Sequence, residues 1–157
     1  MADKDLFFYH YTSLEAAKRI MLEGKLLPSE AGNGDAAYGA GVYLTTLETH
    51  YGVDTIMNNN WDGAAATREK VEAYFEIQMP STKAVRANDK RDILVHEGVL
   101  TLRDYKWNLK SFAGSPLRGG KRGEHGPCMG RYTLYQKAVL SHAGLERVPV
   151  YKQDNGD

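Results

Sequence analysis

The sequence predicts an α+β domain built on small, mostly antiparallel sheets. Three observations lead there. Val71, Ala73, Phe75, Ile77 and Met79 alternate with Glu72, Tyr74, Glu76 and Gln78, the period-two pattern of a half-buried strand. Apolar residues at helical spacing are confined to short stretches, the clearest being Leu14, Ala17 and Met21. The chain then alternates short elements of both kinds, with no internal repeat, a mixture that suits an α+β domain.

The elements follow in order. Residues 6–11 are apolar and aromatic and predict a strand. Thr12-Ser13-Leu14-Glu15 has the Thr-x-x-Glu form of a capping box, in which each side chain satisfies the other's free backbone N–H. Gly24 stops the helix that follows. Residues 31–35 form a Gly-rich loop and residues 41–46 a short apolar strand. Residues 62–70 predict a second helix, with Asp62 near its start and Lys70 at its end to suit the helix dipole. The alternating strand ends at Pro80, which cannot donate to a ladder. Residues 93–96 are a further apolar run, which residues 99–102 continue after Gly98. Residues 111–130, rich in Gly, Pro, Arg and Lys, predict a mobile loop. Residues 132–140 form a last ordered element of either type, and residues 148–151 suit an edge strand.

Composition bounds the function. A chain of 157 residues is most simply one domain with one core. Lys plus Arg equals Asp plus Glu, at 20 each, so net charge points neither to nucleic acid nor to an acidic membrane as an obligate partner. The single cysteine, Cys128, forms no internal disulfide and implies no oxidising compartment. No apolar run approaches the ~20 residues that span a bilayer. The N-terminus lacks the basic-then-apolar pattern of a secretory signal, so a cytoplasmic or nuclear location is expected, with other export routes left open. His125 and Cys128 lack a second ligand pair, and no metal site is expected.

Two stretches carry the functional signal. Tyr9-His10-Tyr11-Thr12-Ser13 places an imidazole beside hydroxyls at a helix start, and Tyr38-Gly39-Ala40-Gly41-Val42-Tyr43-Leu44-Thr45 places an aromatic after a Gly-x-Gly bend. Gly24-Lys25-Leu26-Leu27-Pro28-Ser29 lies between them. In this order and spacing the three motifs resemble the NAD-binding core of the ADP-ribosyltransferase superfamily. The likeness is to the branch with a His-Tyr-acid triad, which includes diphtheria-type toxins and poly(ADP-ribose) polymerases. It is nearest to the small toxin-associated domains with a His-Tyr-Asp signature, and spans roughly residues 6–102. It implies an ADP-ribosyltransferase-like pair of small sheets with flanking helices, with residues 103–157 as a C-terminal extension. It also implies NAD as substrate and a macromolecular acceptor, protein or nucleic acid; no membrane partner and no metal are expected from the residues.

The residue types suit that chemistry. Cleaving the nicotinamide–ribose bond passes through an oxocarbenium-like transition state. His10, with Thr12 or Ser13, is assigned to the ribose. Tyr43, with Tyr51 or Tyr38, is assigned to stacking on nicotinamide. Gly39 and Gly41 are expected to let backbone approach the ligand. Tyr11 either packs or faces the adenosine. The acid is expected to open a late strand, and Asp92-Ile93-Leu94-Val95-His96 has that form. Asp92 is therefore the leading candidate, with Asp89 second and Glu97 third. A different alignment places Gln136 or Lys137 there and removes the acid. Bland readings stand beside each assignment: His10 as a core histidine or helix-entry cap, Thr12 or Ser13 as the helix cap, Tyr43 as packing, and Asp92 as part of the solvated cluster of residues 89–92. The run of residues 118–123, basic side chains among glycines, either contacts phosphates or is simply solvated. Alternative activities are an NAD glycohydrolase, an RNA 2′-phosphotransferase-like or small-molecule transferase, and an inactive NAD- or ADP-ribose-binding module. Lys18 and Arg19 are the only basic residues near the motif for the RNA reaction.

Overall fold

The computed structural model describes residues 3–30, 37–61, 68–112 and 116–123. Its centre is the strand that the alternating pattern predicts, β4 (Ala73–Pro80). On one face Ala73, Phe75, Ile77 and Met79 are all 0% exposed, while Glu76 and Gln78 on the other keep partial contact with water. β1 (Asp5–Thr12) runs antiparallel beside it, in register from Asp5 opposite Pro80 to Thr12 opposite Ala73. β8 (Lys106–Ser111) and β9 (Pro116–Gly120) complete a four-stranded sheet in the order β1-β4-β8-β9.

Both faces of this sheet are covered, which is why aromatic residues occupy alternate and opposite positions on β1. Phe8 joins Phe75, Ile77 and Met79 against Ala17 and Met21 of α1 (Leu14–Glu23) and against Leu26 and Leu100. Tyr9 and Tyr11 face the other way and pack with Tyr74, Val71 and Ile56 of α2 (Val53–Trp61). Each large apolar side chain so buried contributes about 1.5–3 kcal/mol.

Two small sheets flank the large one. β2 (Lys25–Leu26) pairs with β7 (Leu100–Thr101), and β3 (Val42–Leu44) pairs with β6 (Leu94–His96), which also pairs with β5 (Val85–Arg86). The large sheet and the β3 sheet meet where Tyr9 and Thr45 exchange backbone hydrogen bonds of 2.8 and 3.0 Å. Among the described residues all pairings are antiparallel, and with two helices this is the expected α+β fold. Among the described residues no helix is long and apolar enough to cross a membrane.

Several expectations are corrected. The helix cap is Ser13, whose hydroxyl oxygen accepts from the Ala16 N–H at 3.1 Å. Thr12 remains the last residue of β1, so no capping box forms with Glu15. Gly24 does end the helix, at φ 68°, with its N–H bonded to the Ile20 carbonyl. A second helix that the sequence did not announce lies at Val53–Trp61; of the helix expected over residues 62–70, residues 62–67 lie outside the described residues and Arg68–Val71 is a single 3-10 turn. Val53, Ile56 and Met57 do recur at helical spacing, but Asn58-Asn59-Asn60 has poor helix propensity and hides the signal. β7 does not continue β6, because Gly98 at φ 73° turns the chain toward β2.

The expected mobile loop is also corrected in part. β9 is a strand of the main sheet in which Leu117 is 0% and Arg118 9% exposed, so the core runs past Leu102. Arg118 is therefore not a solvated loop cation. Gly120 sits opposite Trp107, and a Cβ there would lie 2.7 Å from indole Cε2. The glycines make room for a ring across the ladder rather than a turn. Residues 132–140 and 148–151, the alternative acid positions Gln136 and Lys137, and the pair His125 and Cys128 lie outside the described residues.

Gly41 is held tightest. It is buried, and a Cβ would strike Val95 Cγ1 and lie 2.8 Å from the His96 carbonyl oxygen. Gly41→Ala is expected to cost about 3 kcal/mol through forced displacement of β3 from β6, read as a fall in melting temperature. Gly39, at φ 94° with open space around it, is expected to tolerate added volume better than its backbone tolerates a side chain.

Candidate functional site

The site grows outward from β3. His10 lies on β1 opposite Phe75, and its Nδ1 is 2.9 Å from the Tyr43 carbonyl oxygen. A carbonyl only accepts, so Nδ1 carries the proton. In the neutral ring Nε2 is then an acceptor. Burial lowers the His10 pKa below its ordinary value of 6.5, opposed in part by the bond to Tyr43. The ring is therefore neutral near neutral pH.

This shift has a consequence for stability. The unfolded chain takes up a proton at His10 near pH 6.5, and the folded chain only at lower pH. The contribution is complete above 6.5 and is lost as pH falls below it. Melting temperature is expected to drop between about pH 7 and about pH 5, with a shallower drop in His10→Gln.

Tyr43 is anchored through its hydroxyl, which donates to the Gly39 carbonyl at 2.6 Å and accepts from the Tyr38 N–H at 3.0 Å. The Tyr38 and Tyr43 rings meet edge to face, with centroids 6.4 Å apart. The Tyr38 hydroxyl accepts from Asn88 Nδ2 and Arg91 Nη2, both at 2.5 Å, and the Arg91 guanidinium carbon lies 5.5 Å from the Tyr38 ring centre. Asn88 Oδ1 in turn accepts from the Lys90 and Arg91 N–H groups. The bend before Tyr43 is thus tied to the segment before β6.

Asp92 ends that segment, two residues ahead of β6. Its Oδ2 accepts from Thr46 N at 2.5 Å, Thr46 Oγ1 at 2.8 Å and Thr45 Oγ1 at 2.8 Å, and its Oδ1 accepts from Arg86 Nη2 at 2.9 Å. Burial raises its pKa, but the bonds from Thr46, Thr45 and Arg86 outweigh it and hold the carboxyl below its ordinary value of 3.8. Asp89 and Glu97 are exposed, on a bend and just past β6. Among the three candidate acids, Asp92 is the one bonded to the end of β3.

Other candidates go elsewhere. Tyr11 faces away from His10. Its ring lies 5.3 Å from Tyr74 and its hydroxyl donates to the Leu47 carbonyl at 2.7 Å, so it packs in the second core. Ser13 is committed to the helix cap. Thr12 is buried at the end of β1, one position beyond the packing Tyr11. Tyr51 is 51% exposed and its ring pairs with His50 at 4.3 Å rather than with Tyr38 or Tyr43. Gly41 faces Val95 and His96, so its missing Cβ serves strand packing. Among the described residues no cluster of His, Cys, Asp and Glu is suited to a metal.

A sequence model of the HYD1 signature containing ADP-ribosyltransferases matches residues 8–104. The chain belongs to that family. The match begins on β1 and takes in His10, Tyr43 and Asp92. β8 and β9 of this ADP-ribosyltransferase domain lie beyond the matched span, although they extend the same sheet. Searches among curated proteins and among solved structures each found no match.

Sequence reasoning missed three residues that shape the site. Arg86 and Asn88 lie in segments with no motif, and Asn59 sits in the asparagine run that concealed α2. No local pattern marks them: Asn59 and Asn88 act on partners 33 and 50 residues away, and Arg86 reaches Asp92 only across the turn that follows β5.

Proposed function

We propose that this domain cleaves the nicotinamide–ribose bond of NAD beside β3 and transfers ADP-ribose to a macromolecular acceptor. The observation that carries the reading is the gathering role of β3. Its Tyr43 carbonyl lies 2.9 Å from His10 Nδ1, and the threonines after it, Thr45 and Thr46, hold the Asp92 carboxylate.

The residues fit NAD. Neutral His10 offers Nε2 as an acceptor for a ribose hydroxyl. Tyr43, fixed at its hydroxyl, offers a ring with restricted rotation for stacking. Asp92 is ionised and held by four donors, so it needs no rearrangement as positive charge develops on the ribose. As the C1′–N bond breaks, its electron pair leaves with nicotinamide. A nucleophile on the acceptor then bonds to C1′ and gives up its proton, to the Asp92 carboxylate or to solvent.

The test is incubation with NAD labelled in the adenosine half, with and without cell lysate. Nicotinamide release with label retained on protein or nucleic acid is the expected result. Release with no retained label indicates hydrolysis, and binding without release indicates a non-catalytic module. Either result overturns the transferase reading.

A further inference from the structure

We propose that Asn59 of α2 is the positioning residue for Asp92. The inference rests on the reading that Asp92 is the acid. Asn59 Nδ2 donates to the Asp92 carbonyl at 2.9 Å, and Asn59 Oδ1 accepts from the Asp92 N–H at 2.8 Å. One side-chain amide thus satisfies both backbone groups of one residue, as a neighbouring strand would. The need is plain from the register. The ladder between β3 and β6 ends at Leu44 opposite Leu94, so Asp92 lies beyond it.

A third contact links this pairing to the carboxylate itself. Asn59 Nδ2 lies 3.4 Å from Thr45 Oγ1, the hydroxyl that donates to Asp92 Oδ2. Asn59 therefore holds the Asp92 backbone directly and touches one of the donors to its side chain. Its own position is rigid, since Ile56, one turn earlier on the same helix face, is 0% exposed among Tyr9, Tyr11, Val71 and Tyr74. With Oδ2 taking three donors, Oδ1 is left to Arg86, which is 52% exposed and the easiest partner to displace. The direction in which Oδ1 faces is set by the Asp92 backbone, and Asn59 sets that backbone. A Gln would overreach by one methylene, and an Asp would present an oxygen to the Asp92 carbonyl.

The experiment compares Asn59→Ala and Asn59→Asp with the parent domain in steady-state nicotinamide release, NAD titration and thermal melting. The expected result is a kcat at least about tenfold lower in both variants, with NAD affinity within about twofold. In Asn59→Asp the acid limb of the kcat profile should also move to higher pH, because a second carboxylate beside Asp92 disfavours its charge. A purely structural role moves the melting temperature and leaves the kcat of the folded protein unchanged. Asn59→Ser, which keeps a small polar group, serves where Asn59→Ala does not fold. Unchanged kcat, or a loss that follows NAD affinity, overturns the inference while leaving Asp92 in place. Full turnover in Asp92→Asn overturns the underlying reading instead.

Discussion

Asp92→Asn is expected to lower nicotinamide release by about 10²–10³-fold while leaving NAD affinity nearly unchanged. Negative charge at this position matters most when the ribose becomes cationic, so its loss falls on the transition state and not on the ground state. The geometry adds a second expectation. Every partner of the carboxylate is a donor: Thr45 Oγ1, Thr46 N, Thr46 Oγ1 and Arg86 Nη2. An amide keeps one acceptor oxygen and turns an N–H toward the rest. The variant should therefore lose about 1–3 kcal/mol of stability as well, visible in thermal or denaturant melts. Binding titrations on folded protein separate the two effects. Wild-type turnover in this variant would move the search for an acid to Asp89, which stands exposed on the bend just before it.

His10→Ala is expected to act the other way round, on binding first. Removing the imidazole deletes the acceptor offered to the ribose and also strips the Tyr43 carbonyl of its partner at 2.9 Å. NAD should bind at least about tenfold more weakly, the cost of one hydrogen bond together with lost order beside Tyr43. Stability should fall by about 1–3 kcal/mol for the unpaired carbonyl. Calorimetric titration with NAD and a melting curve read both. Unchanged NAD affinity would leave His10 with the purely structural role of joining β1 to β3.

Much of the frame was legible in local pattern. The alternation that ends at Pro80 marks β4, and Gly24 marks the end of α1, since each signal depends only on side chains within a few residues. The His10 and Tyr43 motifs were legible too, as were the two short strands that carry them. Reading failed where one residue type serves two purposes. Glycines at 119 and 120 resemble turn formers but make room for Asn108 and Trp107 across a ladder. Asparagines at 58–60 resemble a loop but lie within a helix whose Ile56 is fully buried. Tyr11 shares a motif with His10, yet neighbouring residues on a strand point to opposite faces, so only one of them looks toward Tyr43.

The sequence by itself determined the α+β class, the main strand, the first helix and the motifs that mark an ADP-ribosyltransferase. Those properties follow from periodicity and spacing, which are local. Only the tertiary structure decided that β3 joins His10 to Asp92, that four donors hold the carboxylate, and that Asn59 bonds the Asp92 backbone from 33 residues away. Those depend on strand register and on helix placement against a second core. Register is settled by the simultaneous burial of both sheet faces, a condition that no short stretch of sequence contains.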